Sequence, residues 1–551
     1  MPQALAASAL TTSIKFGAMV ATSVDGFLPL RLLSCAKTST TPSSTSNSPA
    51  NWLASTSSAL SNCVPPRTVL AKAPRVKKLQ TETSAERFAE TEAFIAKAKA
   101  SLRSPGLGES SEWIETGLRE ALLRDGQRII AELYNDRELL PDSEPPAAFE
   151  SIHRNRIRTI HSLFGPFELR RNYLHHAKSG GGRFPLDEAL GLEGACTPAV
   201  AKLMSRAASR AGSYQEAAAD LFAYAGLSFD ARDLGRMVAT VAPKLRKALV
   251  GINVATSHPA SIDVLYVSCD GTGTPMRPEE LRGRKGRQQD GSARTREAKL
   301  GCVFTQTDLD AQGNPLRDED GCPLRDPDST SYVGTYQGCR EIAVLLHQEA
   351  RRRGLDHAKR VVFIGDGAAW VWENARLTFP DAIEILDFYH ACEHVGQLAA
   401  AIHEKDPDQA ASLRALWCHE MKHSSPIALL AESRALLNAN PDWHQSKRDA
   451  IQNQINYLES HSTRTHYGRY RQEGLFIGSG VVEAGCKTVV GRRLKQSGMF
   501  WSQTGAENIL SLRCLVLGQN FDVAWKELKT INAIQQLKTR RWENPDIKLA
   551  A

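Results

Sequence analysis

Three acidic residues, Asp270, Asp366 and Glu483, stand where the hydrophobic pattern predicts the ends of buried elements. Asp270 closes the apolar run "VLYVSCD" and Asp366 closes "VVFIGD". Glu483 lies in "GSGVVEAGCKTVVGRRLK", near a helix start announced by Ser479 and Gly480. A lone aspartate at a strand end is usually a turn or cap residue. Three in succession offer hard oxygen donors of the kind that hold Mg²⁺ or Mn²⁺. Clustered carboxylates repel and raise one another's pKa, so the group makes sense as a cation cage. Two such ions, about 3.5–4 Å apart, activate water or a 3′-hydroxyl and stabilise the leaving oxygen of a phosphodiester.

Two chemistries place an aspartate at a strand tip before a glycine-bearing turn, which is how "DGTG" after Cys269 reads. Phosphatases of the haloacid dehalogenase type need a nucleophilic aspartate two residues earlier, where Ser268 stands. They also need another acid soon after G-D-G, where this chain has Ala369 and Trp370. Without the carboxylate nucleophile, covalent phosphoryl transfer fails. Metal-dependent nucleases of the RNase H type take one acid from the first strand, one from the fourth and one from a later helix. Asp270, Asp366 and Glu483 occur in that order.

The elements that must carry these acids follow from periodicity and composition. Residues 1–82 are rich in Ser, Thr and Ala, with Asp25 the one acidic residue before Glu82. Such a segment buries no core and reads as disordered, either transit-like or an over-extended start. Residues 83–255 read as a mainly helical region with a hairpin at "RIRTIHSLFGPFELRRNYLHH" and a loop at "AKSGGGRFPLDEALGL". It also holds a helix, a turn at Gly226 and a second helix, which is either a DNA-reading helix-turn-helix or an ordinary αα-hairpin. From 256 to 404 the order is βββαβαβα, which predicts a mixed sheet covered by helices. Residues 405–473 read as a helical insertion, 474–530 as closing helices and 531–551 as a tail. The expected fold class is α/β: an RNase H-like mixed-sheet catalytic core with a helical insertion, preceded by a mainly helical N-terminal DNA-binding region.

The net charge of +7 is modest, but basic residues gather in "LRGRKGRQ", "RRR", "GRRLK" and "KTRR". Clusters flanking acidic tips point to a polyanionic partner. The eleven cysteines never form CxxC, which argues against a zinc ribbon or a secreted disulfide framework. No apolar run approaches the roughly 20 residues that span a bilayer, so no membrane partner is expected.

The blocks "CDGTGTPMRPEELRGRKGRQQDGSARTREAKLGCVFTQT", "FIGDGAAWVWENARLTFPDAIEILDFYHACEHV" and "GSGVVEAGCKTVVGRRLKQSGMFWS" together resemble bacterial DDE transposases of the ISKra4 insertion-sequence type, related to the Mutator-like group. The resemblance spans roughly residues 150–520. It implies an RNase H-like core with a helical insertion between the second Asp and the Glu. The catalytic and metal-holding acids then fall on Asp270, Asp366 and Glu483, with two Mg²⁺ or Mn²⁺ ions. The implied reaction is cleavage at element ends and transfer of the freed 3′-hydroxyl into target DNA. The family's D-x-x-H pattern is matched by Asp387 and His390. Their role is either to order the site or contact DNA, or purely structural, with His390 bonded to backbone or to Asp387. His394 lies one turn further at a zinc-like spacing, without a third soft ligand. Trp370 and Trp372 either pack a helix on the sheet or stack on an extruded base. Many relatives carry a cysteine pair of a zinc knuckle where this chain has His175, His176 and glycines, so those ligands are missing.

Arg282, Arg284, Lys285, Arg287, Arg294 and Arg296 follow the first strand, and Lys487, Arg492, Arg493 and Lys495 follow Glu483. Glu483 and Lys487, four apart, would share one helical face. These residues are expected to hold the backbone of double-stranded DNA rather than read its bases. Reading of terminal inverted repeats falls to the helical region before 255. The resemblance further implies a homodimer or larger synaptic assembly at the bacterial nucleoid in the cytoplasm. The rival readings are an RNase H-like nuclease or resolvase without strand transfer, and an inactive DNA-binding remnant. The intact triad argues against the remnant.

Overall fold

The computed structural model describes residues 84–103, 110–136, 150–177, 180–250, 262–281, 295–310, 316–319, 321 and 323–543. Helices α1 (Ser84–Arg87), α2 (Ala89–Ser101) and α3 (Ser110–Asn135) come first. Buried Asp125 on α3 caps the start of α2 by accepting the Thr91 amide at 2.8 Å and its hydroxyl at 2.7 Å. Strands β1 (Glu150–Ser162) and β2 (Gly165–His176) form the expected hairpin, turning on Gly165 at φ 117°. The stretch after it, expected as a loop, instead holds a third strand, β3 (Gly182–Arg183), and a helix, α4 (Pro185–Ala189). Pro185 starts α4, and Asp187 on it forms an ion pair with buried Arg171 of β2. The hairpin thus recruits its own continuation.

Helices α5 (Pro198–Arg210), α6 (Tyr214–Ala225) and α7 (Ala231–Val250) follow. Ser213 caps α6 by accepting the Glu216 amide, and Gly226 ends it in the left-handed region at φ 70°. The buried side chains of these helices belong to the same hydrophobic core as the sheet that comes next.

That sheet has five strands. Of β4 (Ile262–Pro275), β5 (Thr295–Gln306) and β6 (Ser331–Thr335), β5 lies in the middle and pairs antiparallel with the other two. After α8 (Cys339–Arg352), β7 (Ala358–Gly365) returns parallel to β4. After α9 (Ala369–Thr378), β8 (Ile383–Leu386) adds parallel to β7. The order across the sheet is β6-β5-β4-β7-β8, a mixed sheet as the alternating pattern predicted. Central β4 is apolar without alternation because both faces are covered, and Val264, Leu265, Tyr266 and Val267 are all fully buried.

The chain does not turn after Asp270. β4 continues to Pro275, with Gly271 opposite Lys299 and Gly273 opposite Glu297 on β5. The ladder to β5 overrides the weak strand preference of glycine. The glycines instead make cross-strand room: a Cβ on Gly271 would fall 2.1 Å from Glu297 Oε1.

Helix α10 (Phe388–Ile402) leaves the sheet and is followed by α11 (Pro407–His423), α12 (Ile427–Ala439), α13 (Gln445–Ser460) and α14 (Tyr467–Gln472). Tyr467 donates its hydroxyl to Leu386 O at 3.0 Å, which fastens this helical stretch to β8. The chain returns through α15 (Gly480–Gly485), a π-helical turn (Cys486–Gly491), α16 (Arg492–Leu494), α17 (Gln503–Leu517) and α18 (Phe521–Glu543). Among the described residues no helix is long and apolar enough to cross a membrane.

Candidate active site

Parallel pairing of β4 with β7 sets Cys269 beside Gly365, so Asp270, next on β4, and Asp366, the first residue past β7, leave the paired segment together. Asp366 Oδ1 accepts the Ala368 amide at 3.1 Å, which turns the chain into α9. From the other side comes α15, seated closely on the sheet. A Cβ on its Gly485 would fall 2.6 Å from the Tyr332 ring and 3.0 Å from Leu300. Glu483 on α15 is held by Ser479, whose hydroxyl donates to Oε1 at 2.8 Å. One turn on, the Cys486 thiol donates to Asp270 Oδ2 at 3.3 Å.

The three acids share one electrostatic neighbourhood. Burial raises the Asp270 pKa above the ordinary carboxylate value. The Cys486 and Gly271 hydrogen bonds oppose the rise, and the charges of Asp366 and Glu483 add to it. The donors are hard oxygens, which suits Mg²⁺ or Mn²⁺, and a cation would relieve the repulsion. Their side chains are not closed into a cage, since no group of three His, Cys, Asp or Glu among the described residues is arranged to hold a metal.

Asp387 is a structural hub beside these acids. Only 2% exposed, it ends β8 and accepts two amides, His390 N at 2.6 Å and Ser479 N at 2.5 Å. Its own amide donates to Gly365 O at 2.8 Å, and the next amide, of Phe388, donates to Ile477 O at 2.9 Å. The Asp387 carboxylate therefore caps α10 and holds the turn before Glu483, while its backbone amide ties it to the strand before Asp366. The D-x-x-H contact is made by the His390 backbone, while its ring lies against His394 and 3.6 Å from Glu393.

The tryptophans divide. Trp372 is 3% exposed and lies under the Arg464 guanidinium, so it is closed to any base. Trp370 is half-buried beneath Lys299, whose Nζ sits 4.6 Å from the ring centroid.

Among the basic residues, Arg282, Arg284, Lys285, Arg287 and Arg294 lie outside the described residues. Arg296 is half-buried and donates Nε to Glu280 O at 3.0 Å. Lys487, Arg492 and Lys495 are exposed, and Lys495 Nζ reaches Thr272 Oγ1 at 2.5 Å, two residues past Asp270. Arg493 does not face solvent as expected. It is 1% exposed, with its guanidinium against Tyr214 (4.6 Å) and Trp501 (5.0 Å), because it packs α16 onto α6. Lys487 lies in the π-helical turn that follows the Glu483 helix.

Several side chains escaped sequence reasoning. Cys486 carried a weak signal in its spacing from Glu483. Buried Lys299, paired with Glu297, carried none without the strand register. Arg513, donating to the carbonyls of Val489, Thr488 and Ser209, satisfies the irregular π turn from a later helix.

A family profile described as an uncharacterised protein family, UPF0236, matches residues 115–288, a stretch that includes Asp270 but neither Asp366 nor Glu483. No curated protein matches the chain. Among solved structures, the chain is similar to the Drosophila P element transposase strand transfer complex at a TM-score of 0.28 and 8% identity, over 60% of this chain and 93% of that one.

Proposed function

We propose that the chain is a metal-dependent DNA transposase of the DDE type, built on an RNase H-like core. The observation that carries this reading is the meeting of Asp270 and Asp366 on adjacent parallel strands with Glu483 from a later helix. These are the first and fourth strands of the sheet in chain order. Asp270, Asp366 and Glu483 would hold two Mg²⁺ or Mn²⁺ ions, which supply an activated water or 3′-hydroxyl and stabilise the leaving oxygen.

The chain's own residues do the positioning. Asp387 fixes the Ser479 turn, and Ser479 fixes Glu483. Lys487, Arg492, Lys495 and Arg296 would hold DNA backbone near the acids, and the helices before 255 would read the element ends in a dimeric or larger assembly.

The test is to incubate the full-length protein, in Mg²⁺, with duplexes carrying the element ends and a supercoiled target plasmid. The expected result is cleavage at the ends followed by covalent joining to the plasmid. Cleavage without joining would favour a nuclease on the same core, and no cleavage at all would overturn the reading.

A further inference from the structure

The helical stretch between β8 and Glu483 delivers one group to the acid site that the proposed function does not use. Tyr457 lies on α13, and its ring stacks on His394 with centroids 3.5 Å apart and planes 13° from parallel. His394 is itself fixed by Gln454, with Nδ1 and Oε1 2.7 Å apart. The stack directs the phenol at the turn between β7 and α9. A Cβ on Gly367 would fall 1.9 Å from Tyr457 Oη, so the hydroxyl fills the space left by the missing side chain next to Asp366. There it is sealed from solvent and has no hydrogen-bond partner among the described residues. The chain that follows α13 is fastened to the sheet, through Arg464 Nε to Glu384 on β8 at 2.5 Å and Tyr467 to Leu386 O.

A buried hydroxyl is costly to leave unpaired, and a rigid one unpaired beside a carboxylate calls for an acceptor. Asp366 and Asp387 are the acids whose charges reach Tyr457. Both oxygens of Asp387 are taken by the His390 and Ser479 amides. Asp366 Oδ1 accepts from Ala368, which leaves Oδ2.

We propose that Tyr457 is a positioning residue of the acid site, donating its O–H to Asp366 and fixing that carboxylate's orientation toward a divalent cation. The proposal rests on the metal-dependent reading above. Hydrogen-bonded partners of metal-holding carboxylates typically control affinity by about 10- to 100-fold.

The experiment is a calorimetric titration of the full-length protein with Mn²⁺ alone, together with thermal melting, for wild type, Tyr457→Phe and Asp366→Asn. Tyr457→Phe is expected to bind Mn²⁺ about tenfold more weakly. It should stay folded, because phenylalanine keeps the stack on His394 and only one hydrogen bond is lost. Asp366→Asn is expected to lose binding. If Tyr457→Phe binds as wild type does while Asp366→Asn loses binding, the tyrosine proposal falls and the metal reading stands. If Asp366→Asn binds as wild type does, the metal reading falls and takes the tyrosine with it.

Discussion

Asp387 Oδ2 accepts the Ser479 amide at 2.5 Å across 92 residues of chain, joining the end of β8 to the start of the Glu483 helix. The whole helical stretch 405–473 is looped out between these two residues. The closure needs little from that stretch, since the cost of closing a loop grows only slowly with its length.

Asp387→Ala therefore removes a helix cap and leaves two amides without their acceptor. The expected loss is about 3 kcal/mol, read by urea unfolding. DNA cleavage should be lost even where the variant is fully folded, because Ser479 no longer fixes Glu483. Wild-type cleavage by a folded Asp387→Ala protein would show that the hub serves stability alone.

Asp270 carries a testable conflict between stability and charge. Its folded pKa is raised, first by burial and then by Asp366 and Glu483, against the Cys486 and Gly271 hydrogen bonds. A carboxyl with a raised folded pKa contributes stability that is fully present below its unfolded value. That contribution is lost as pH rises through the folded value. In metal-free buffer, Asp270→Asn should melt above wild type at pH 7, and the gap should close as pH falls toward the ordinary carboxylate range near about 4. A variant that melts lower at pH 7 would contradict the repulsion among the three acids.

The basic residues separate into two groups by burial. Removing exposed Lys487, Arg492 or Lys495 should flatten the dependence of log affinity on log salt, by about one for each phosphate that is no longer neutralised. Arg493→Ala should leave that slope unchanged. It should instead cost roughly 2 kcal/mol of stability, through loss of a desolvated cation held by Tyr214 and Trp501. A flattened slope for Arg493→Ala at unchanged stability would place it back on the DNA-facing surface.

These contrasts show what was legible in the sequence. Asp270 and Asp366 stood out because a doubly buried strand leaves a mainly apolar run, and each is the first charged residue after its run. The mixed sheet followed from the alternation of such runs with amphipathic helices. What could not be read depends on pairing between distant segments. Glycines at 271 and 273 look like a turn until β5 supplies their ladder, and only the register shows that they make room for Glu297 and Thr295. Arg493 looks like a solvent-facing cation until α6 presents Tyr214. The hydroxyl of Tyr457 sits in a helix whose pattern says nothing of Gly367, 90 positions earlier in the same numbering.

Everything proposed for this chain turns on Asp270, Asp366 and Glu483 acting together on DNA through divalent cations. The decisive experiment replaces each in turn, as Asp270→Asn, Asp366→Asn and Glu483→Gln, and follows cleavage of end-bearing DNA by the folded proteins in Mg²⁺ and in Mn²⁺. All three variants should retain DNA binding and fail to cleave in either metal. Full cleavage by any one of them would contradict the shared site.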